Sequence, residues 1–270
     1  MKSGRKTYII AGILFIGFIL LAVLLRSAGD TTHVRSLDEI IESGKLHIVS
    51  ENSSMGINIG EGQNSGFQYE ILKIFADTLG VELKISTAND LALSIDLLNK
   101  GKYDLIARFI PTTTEWIDTV LFSIPLLTSR QMLVQRSFNK GKEIRINHQY
   151  ELAGDSIYIQ TNSPHKMRLT HLSKEIADTI YIVELENLTA EQLVALVAEG
   201  KIRNTICHEQ LSRKLTKEYS NIDASIPVSL SQPYSWAVNK ESTDLLEKLN
   251  GFLAAFIGSS DYWNLYRKYY

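Results

Sequence analysis

The sequence predicts an α/β protein made of two similar lobes with a cleft between them. Short apolar segments alternate with amphipathic segments along residues 45–107, and the same alternation returns along residues 155–230. Such an order is typical of parallel sheets covered by helices. The chain has 270 residues, of which 44% are hydrophobic, so it is long enough for two such units. Open α/β sheets bind ligands at the carboxyl ends of their strands, which directs attention to the loops there.

The first half contains three predicted strands and three predicted helices. The strands cover residues 45–50, 81–86 and 104–107, and the helices cover 36–43, 67–80 and 91–101. In the second helix, Phe67, Ile71 and Phe75 fall on one face, and Gly80 supplies a C-cap. Asn89 and Asp90 are cap candidates for the third helix. Residues 51–65 form a polar loop rich in Gly and Asn.

The second half repeats this order and ends in helices. Strands are predicted over residues 155–160, 179–184, 203–207 and 226–230, and helices over 164–174, 189–199, 209–218, 243–257 and 259–269. Glu191 or Gln192 stands near a capping-box position of the helix at 189–199. Tyr262, Trp263 and Tyr266 have helical spacing, which favours packing of the last helix against the first lobe.

The N-terminus predicts a membrane anchor. Lys2, Arg5 and Lys6 precede an uninterrupted apolar run over residues 8–25. This run nearly matches the ~20 residues that cross a bilayer as a helix, and the preceding basic residues direct the rest of the chain outward. A cleaved signal peptide ending near residues 27–29 remains the alternative. Both interpretations place residues 30–270 outside the cytoplasm, in the periplasm or another extracytoplasmic space.

Composition excludes some classes of function. The formal net charge is −2 and the basic residues are scattered, so no nucleic-acid-binding surface is indicated. Cys207 is the single cysteine, which rules out an intrachain disulfide, and we expect it to be a buried structural residue. His165 and His208 could both face the cleft, but no further ligands stand at suitable positions, so no metal or cofactor is predicted.

Several motifs resemble those of family 3 extracellular solute-binding proteins. The helix segment GFQYEI at residues 66–71, followed by FADTLGV at 75–81, resembles the family's "GFDYEL…FADxLGV". The segment GKYDLIA at 101–107 and the segment FSIP at 122–125 resemble its "GKxDLIAA" and "FSxPY". QPYSWAV at 232–238 resembles the binding domain of membrane-bound lytic transglycosylase F. The resemblance covers nearly all of residues 45–270.

The resemblance implies a type II periplasmic-binding-protein fold with two hinge crossovers, near residues 126–136 and 226–238. Lobe 1 would then be residues 45–127 plus 234–270, and lobe 2 would be residues 128–233. Residues 1–29 would be the basic stub and anchor, and residues 30–44 a linker with a short helix. Lytic transglycosylases carry a further catalytic domain, which would begin near Tyr270, so we expect binding without catalysis.

The family's charged anchors are replaced in this sequence. In relatives that bind free amino acids, an arginine pairs with the ligand carboxylate and an aspartate receives the ligand ammonium. The motifs place these positions at Trp116 and His208, neither of which supplies the ion pair. The resemblance therefore implies a ligand other than a standard amino acid, such as a peptide, a muropeptide fragment or a ring-containing solute that stacks on a Trp face.

Further candidate ligand-binding residues lie in the loops that face the cleft. Arg108 stands just past a predicted strand and is the substitute anion anchor. The other candidates near it in lobe 1 are Phe109, Pro111, Thr112 and Thr113, and those in the first loop are Asn52, Ser53 and Met55. In lobe 2 the candidates are Thr161, Asn162, Ser163 and His165. Ser163 as N-cap with Pro164 at N1 fits helix-start chemistry, and free N–H groups there suit an anionic group.

Three functions compete with a membrane-tethered sensor. The chain could deliver an amino-acid-like solute to an ABC permease. It could be a lyase or dehydratase on the same scaffold, with Glu51, Glu115 or His208 as acid or base. It could also act on peptidoglycan enzymes by interaction alone.

Overall fold

The computed structural model describes residues 33–60, 64–112, 116–137 and 146–270. Val34–Tyr270 form one compact unit. The predicted anchor at residues 8–25 lies outside the described residues, as do Thr113 and Glu115. In the part of the chain that is described, no helix has both the length and the apolar character needed to span a bilayer.

Strands and helices alternate over residues 37–111 and 156–227 as the sequence predicts, whereas the strands within residues 105–136 and 222–238 follow one another without an intervening α-helix. The strands are β1 (Lys45–Ser50), β2 (Glu82–Thr87), β3 (Leu105–Pro111), β4 (Leu121–Phe122), β5 (Leu127–Ser129), β6 (Gln131–Arg136), β7 (Ser156–Gln160), β8 (Tyr181–Leu185), β9 (Asn204–His208), β10 (Ile222–Pro227) and β11 (Gln232–Val238). The helices are α1 (Leu37–Ser43), α2 (Phe67–Leu79), α3 (Leu91–Asn99), α4 (His165–Glu175), α5 (Ala190–Ala198), α6 (Glu209–Glu218), α7 (Thr243–Phe256) and α8 (Ser260–Tyr269).

The strands form two mixed sheets within the described residues. In the first sheet the order is β2-β1-β3-β11-β4, and β5 also pairs with β11. Strands β1, β2 and β3 run parallel, and β11 runs antiparallel to β3. In the second sheet the order is β10-β6-β9-β7-β8, with β7, β8 and β9 parallel. We call the first sheet with its helices lobe 1 and the second sheet with its helices lobe 2.

Each lobe has its own apolar core. In lobe 1, α2 and α7 bury one face against the sheet around the fully buried Trp236. The indole Nε1 of Trp236 donates to Gln68 Oε1 at 2.7 Å, which satisfies a donor that would otherwise be buried without a partner. In lobe 2, separate clusters on the two faces of the sheet contain Leu193 on one side and Leu169 on the other. Both faces of the second sheet are therefore covered, as its parallel strands β7, β8 and β9 require.

The bounds of most predicted helices and strands are confirmed to within two residues. The bounds of two predicted strands are wrong. The strand predicted over residues 226–230 ends at Pro227, and Leu230 is 88% exposed in the connection that follows. The strand predicted to end at Ala107 continues to Pro111 because β11 pairs alongside it. Arg108 therefore lies inside a buried strand, and not just past the end of one.

Gly66 fixes how the first loop meets α2. Its φ is +129°, and a Cβ there would lie 2.2 Å from the carbonyl oxygen of Gly56. The backbone of Gly56 can approach α2 this closely only because residue 66 has no side chain. The close approach positions the residues between Glu51 and Gly56, which face the cleft.

Gly66→Ala is expected to lower the free energy of unfolding by at least about 2 kcal/mol, because it adds both backbone strain and a backbone collision. Gly251→Ala in α7 is the matched control, since no atom lies within 4 Å of its added Cβ. That variant should gain about 0.5–1 kcal/mol from helix propensity. Urea unfolding of both variants measures the difference, and equal stabilities would contradict the role given to Gly66.

Candidate ligand-binding site

A small cavity lies between the two lobes, where β1, β7 and β9 end and beside the middle of β3. Its volume is about 30 Å³, which is room for one or two water molecules. The lining residues are Glu51, Ser53, Met55, Arg108, Phe109, Gln160, Pro164, His165, Ala190, Glu191, Cys207, His208, Leu211 and Tyr234. The cavity therefore occupies the position at which open α/β sheets bind ligands.

An ion pair between the buried Arg108 and the partly exposed Glu51 forms the lobe 1 wall of the cavity. Arg108 is 4% exposed, and its NH2 group donates to Glu51 Oε2 at 3.3 Å. The NH1 group of Arg108 donates to the carbonyl oxygen of Asn89 at 3.0 Å. Glu51 thus compensates a charge that would be very costly to bury alone. The pair offers a ligand both a cationic and an anionic group in the same wall.

Two imidazoles form the opposite wall. His165 begins α4 and is 9% exposed, and its Nδ1 has no hydrogen-bond partner among the described residues. His208 precedes α6 as its N-cap, and its Nδ1 accepts from the backbone N–H of Leu211 at 3.3 Å. A ring nitrogen that accepts this bond carries no proton, so the His208 imidazole is neutral in this geometry.

Burial keeps both imidazoles neutral at ordinary pH. Desolvation, together with the neighbouring His208 and Arg108, lowers the pKa of His165 to about 3. Desolvation also lowers the pKa of His208 to about 4, although the Gln210 side chain and Glu191 act in the opposite direction. The two rings can therefore offer a ligand uncharged hydrogen-bonding nitrogens.

Aromatic rings and a thiol complete the cavity wall. The ring of His208 lies 5.6 Å from that of Phe109 and 6.5 Å from that of Tyr234, measured between centroids. Both partners of His208 belong to lobe 1, so these ring contacts cross between the lobes. Burial raises the pKa of the Cys207 thiol to about 12, which makes it a poor nucleophile in this conformation. The predicted structural role of Cys207 agrees with its complete burial.

The structure brings together part of the predicted set. Ser53, Met55, Arg108, Phe109, His165 and His208 line the cavity. Asn52 and Thr161 instead line a larger groove of about 510 Å³ between the lobes. That groove is rich in hydroxyl and amide groups, and Gln160 lines both the groove and the cavity. The groove therefore continues the inner cavity outward.

Trp116 is placed away from the cavity, contrary to the prediction of a ring facing the ligand. Its side chain packs, partly buried, against an apolar cluster that includes Leu91, Ile95 and Val120. The indole fills the space that these side chains leave beside α3, where burial of a large apolar surface is favourable. Its Nε1 finds no acceptor within the described residues. His208 thus lines the inter-lobe cavity, whereas Trp116 lines neither the cavity nor the outer groove.

Three other candidates have local structural roles. Pro111 is buried and pairs with Tyr234 across β3 and β11. Ser163 Oγ accepts from the backbone N–H of His165 at 3.2 Å, but the helix begins at His165 with Pro164 as its N-cap, so the prediction of Ser163 as N-cap and Pro164 as N1 is wrong by one residue. Asn162 has a φ of +54°, and its Nδ2 donates to Asp90 Oδ2 of lobe 1 at 2.8 Å. Asn162 therefore connects the lobes beside the cavity.

Sequence reasoning missed several residues of the cavity wall. Gln160, Glu191 and Tyr234 were not among the candidates, although each lies at the end of an element or in a hinge strand. The capping box formed by Thr189 and Gln192 fixes the start of α5. It could have indicated that Glu191, in the first turn, lies at the carboxyl edge of the sheet.

The comparisons with known proteins establish the family. The family model of bacterial extracellular solute-binding proteins, family 3, matches residues 46–270. The chain belongs to this family, and the resemblance inferred from its motifs is confirmed. The described two-sheet α/β architecture is that of solute-binding proteins.

Relatives and solved structures agree with this assignment. A membrane-bound lytic murein transglycosylase F from Desulfosudis oleivorans is 27% identical over 237 residues, which cover 88% of this chain and 51% of the relative. The chain thus spans about half the length of that protein. A mutant of ArgBP from T. maritima is 25% identical with a TM-score of 0.72, covering 86% of this chain and 98% of that one. An ancestral arginine-binding protein bound to arginine has the same TM-score at 21% identity, covers 88% of this chain and 100% of that one, and therefore supports the fold alone.

Acid is expected to lower the free energy of unfolding because of the buried imidazoles of His165 and His208. Their pKa values are lowered on burial, so below about pH 6.5 the unfolded chain binds protons that the folded chain does not. The free energy of unfolding should then fall with decreasing pH, by up to about 1.4 kcal/mol per pH unit for each imidazole, until the pH reaches the lowered pKa.

Urea unfolding between pH 7.5 and pH 5 measures this effect. The double variant His165→Gln, His208→Asn should show a flatter pH dependence than the wild type, and Asn retains the ability to cap α6. His171→Gln is the control, because His171 is an exposed residue of α4. The assignment fails if the double variant and the wild type have the same slope.

Proposed function

We propose that this chain is a membrane-anchored, extracytoplasmic solute-binding or sensor domain whose lobes close on a small ligand other than a standard free amino acid. The observation that carries the proposal is the composition of the cavity between the lobes. It combines the ion pair of Arg108 and Glu51 with the neutral rings of His165 and His208. The anchor belongs to the proposal through the apolar run at residues 8–25.

The missing family anchors argue against amino-acid binding in the usual manner. An amino acid presents a carboxylate and an ammonium, and relatives hold these with an arginine and an aspartate. Here Trp116 packs into lobe 1, and His208 is uncharged and caps α6. Arg108 already has a partner in the partly exposed Glu51, so a bound carboxylate would share or displace that partner. A ligand that relies mainly on hydrogen bonds fits this wall better.

The outer groove favours an extended ligand. The inner cavity holds little more than water, whereas the groove measures about 510 Å³ and carries amide and hydroxyl side chains. A peptide or a muropeptide fragment could place one group between the lobes and its remaining polar groups in the groove. The relative named as a membrane-bound lytic murein transglycosylase makes a cell-wall fragment a reasonable member of this class.

Lobe closure would occur at two strand connections. The chain passes from lobe 1 to lobe 2 between β5 and β6, and returns between β10 and β11. At the first connection, Ser129 Oγ donates to Gln210 Oε1 at 2.5 Å, and Gln210 Nε2 donates to the carbonyl oxygen of Thr128 at 3.3 Å. These bonds tie the connecting strand to α6 and would confine bending to the residues beside them.

Delivery of an amino-acid-like solute to an ABC permease is the second candidate. Its support is the fold of the ancestral arginine-binding protein. Catalysis of the dehydratase type receives no comparable support, because Glu51 is paired with Arg108 and His208 caps a helix. An acid or base in the cleft would have to give up one of these partners first.

A ligand screen separates the two candidates. Full-length chain, purified in mild detergent from its own envelope, is analysed by native mass spectrometry for a co-purified small molecule. The same preparation is tested by thermal shift against the standard amino acids, short peptides and muropeptides. We expect stabilisation by members of the last two groups and none by the amino acids. Saturable binding of arginine or glutamine would overturn the proposal in favour of import.

Arg108→Ala is expected to weaken binding of the solute identified in that screen by at least about tenfold, since a hydrogen bond to a charged group contributes about 1.5–3 kcal/mol. Isothermal titration calorimetry measures the change. Because the substitution leaves Glu51 unpaired, the double variant Arg108→Ala, Glu51→Gln tests the loss without a buried lone charge. Arg203→Ala is the control, as that side chain is largely exposed at the opposite end of β9. Unchanged affinity in the double variant would remove Arg108 from the site.

A further inference from the structure

The loop after β1 makes several polar contacts with lobe 2 near the cavity. Its residues Ser54 and Met55 belong to lobe 1 by chain order, but their side chains reach lobe 2. The backbone N–H of Ser54 donates to Glu191 Oε1 at 3.2 Å and to Glu191 Oε2 at 3.4 Å. The Ser54 hydroxyl also donates to Glu191, and Lys214 Nζ donates to the Ser54 hydroxyl. Ser54 is thus held by both α5 and α6.

Met55 adds an apolar contact at the same point. It is 1% exposed, and it packs within the cluster that contains Leu193, Cys207 and Leu211 of lobe 2. A side chain of lobe 1 therefore completes the core of lobe 2. Separation of the lobes would return this side chain and its partners to water, which opposes opening.

The rest of the loop is braced against lobe 1. The backbone N–H of Gly56 donates to Ser53 Oγ at 2.8 Å, and that of Ile57 donates to the carbonyl oxygen of Glu51 at 3.1 Å. The N–H of Gln68, at the start of α2, donates to the carbonyl oxygen of Met55 at 3.2 Å. Ser54 and Met55 can therefore resist separation of the lobes, because the residues on either side of them are hydrogen-bonded within lobe 1.

Glu191 is well placed to accept the hydrogen bonds of Ser54. It lies in the first turn of α5, where the helix dipole favours a carboxylate. Lys214 approaches from the neighbouring helix and balances its charge. A carboxylate and an ammonium on lobe 2 thus converge on one hydroxyl of lobe 1.

We infer that residues 51–57 form an inter-lobe bolt, in which Ser54 and Met55 hold the lobes closed and limit the size of the cavity. Because Met55, Glu191 and Cys207 also line the cavity, the bolt and the bound solute occupy adjoining space. A solute much larger than water must displace Ser54 and Met55 before the lobes can close around it. Binding of such a solute must therefore supply enough free energy to offset the contacts that Ser54 and Met55 lose. The inference rests on the proposed lobe closure but not on the identity of the ligand.

Cys207 provides a native reporter of opening. It is the single cysteine of the chain, it is fully buried, and it lines the cavity behind the bolt. A thiol-specific reagent such as DTNB can reach it only when the lobes separate or the chain unfolds. The labelling rate of the full-length chain in detergent, without any added solute, therefore measures how often the lobes open.

Glu191→Gln and Ser54→Ala are expected to speed Cys207 labelling, the former by about tenfold, since it weakens the charge-assisted hydrogen bonds from both the backbone N–H and the hydroxyl of Ser54. Ser54→Ala should have a smaller effect, because its backbone N–H still donates to Glu191. Glu199→Gln is the matched control at the other end of the same helix, where Glu199 pairs with Lys201 at the surface. It should label at the wild-type rate.

Urea unfolding monitored by circular dichroism separates opening from global unfolding. The bolt is supported if labelling accelerates by more than the loss of unfolding free energy explains. It is refuted if labelling is unchanged, or if it accelerates only in proportion to lost global stability. Failure of the proposed function has a different signature, since a chain that binds none of the tested solutes would still show the labelling differences.

Discussion

The structure depends on compensation of the buried charge of Arg108. The strand that carries this residue is covered on both faces, so its guanidinium lies where an isolated charge would not be tolerated. Glu51, which directly follows β1, supplies the opposite charge. That pairing draws the first loop over the ends of the strands, and Gly66 permits the close backbone approach that the loop requires. The position of the cavity, its polar wall and the reach of Ser54 and Met55 all follow from this loop.

The two walls of the cavity have different electrostatic character. Lobe 1 contributes a compensated ion pair, whereas lobe 2 contributes neutral rings whose pKa values are lowered by burial. Closing the lobes therefore brings little net charge together and desolvates the imidazoles. This arrangement favours recognition by hydrogen bonds and ring contacts over recognition by ion pairs. It is also sensitive to acid, because protonated imidazoles would face Arg108 across the closed cavity.

Much of the fold was predictable from local patterns, and the site was predictable only in part. Periodicity located α2, and Gly80 marked its end, because an apolar helix face and a C-cap glycine are local signals. The motifs located His208 at the cleft for the same reason. The burial of Arg108 could not be read from the sequence, since it depends on β11 pairing with β3 from more than 120 residues away. The placement of Trp116 depended similarly on a hydrophobic space that forms only when α3 packs on the sheet.

The central claim is that a solute binds between the lobes against the ion pair of lobe 1 and the imidazoles of lobe 2. A crystal structure of the chain with the solute that co-purifies from its own envelope tests this claim most directly. The account predicts electron density between Arg108 and His208 that extends toward Gln160 and the outer groove, with Met55 displaced from its present contacts. Density elsewhere on the molecule, with the lobes and Met55 arranged as described here, would contradict it.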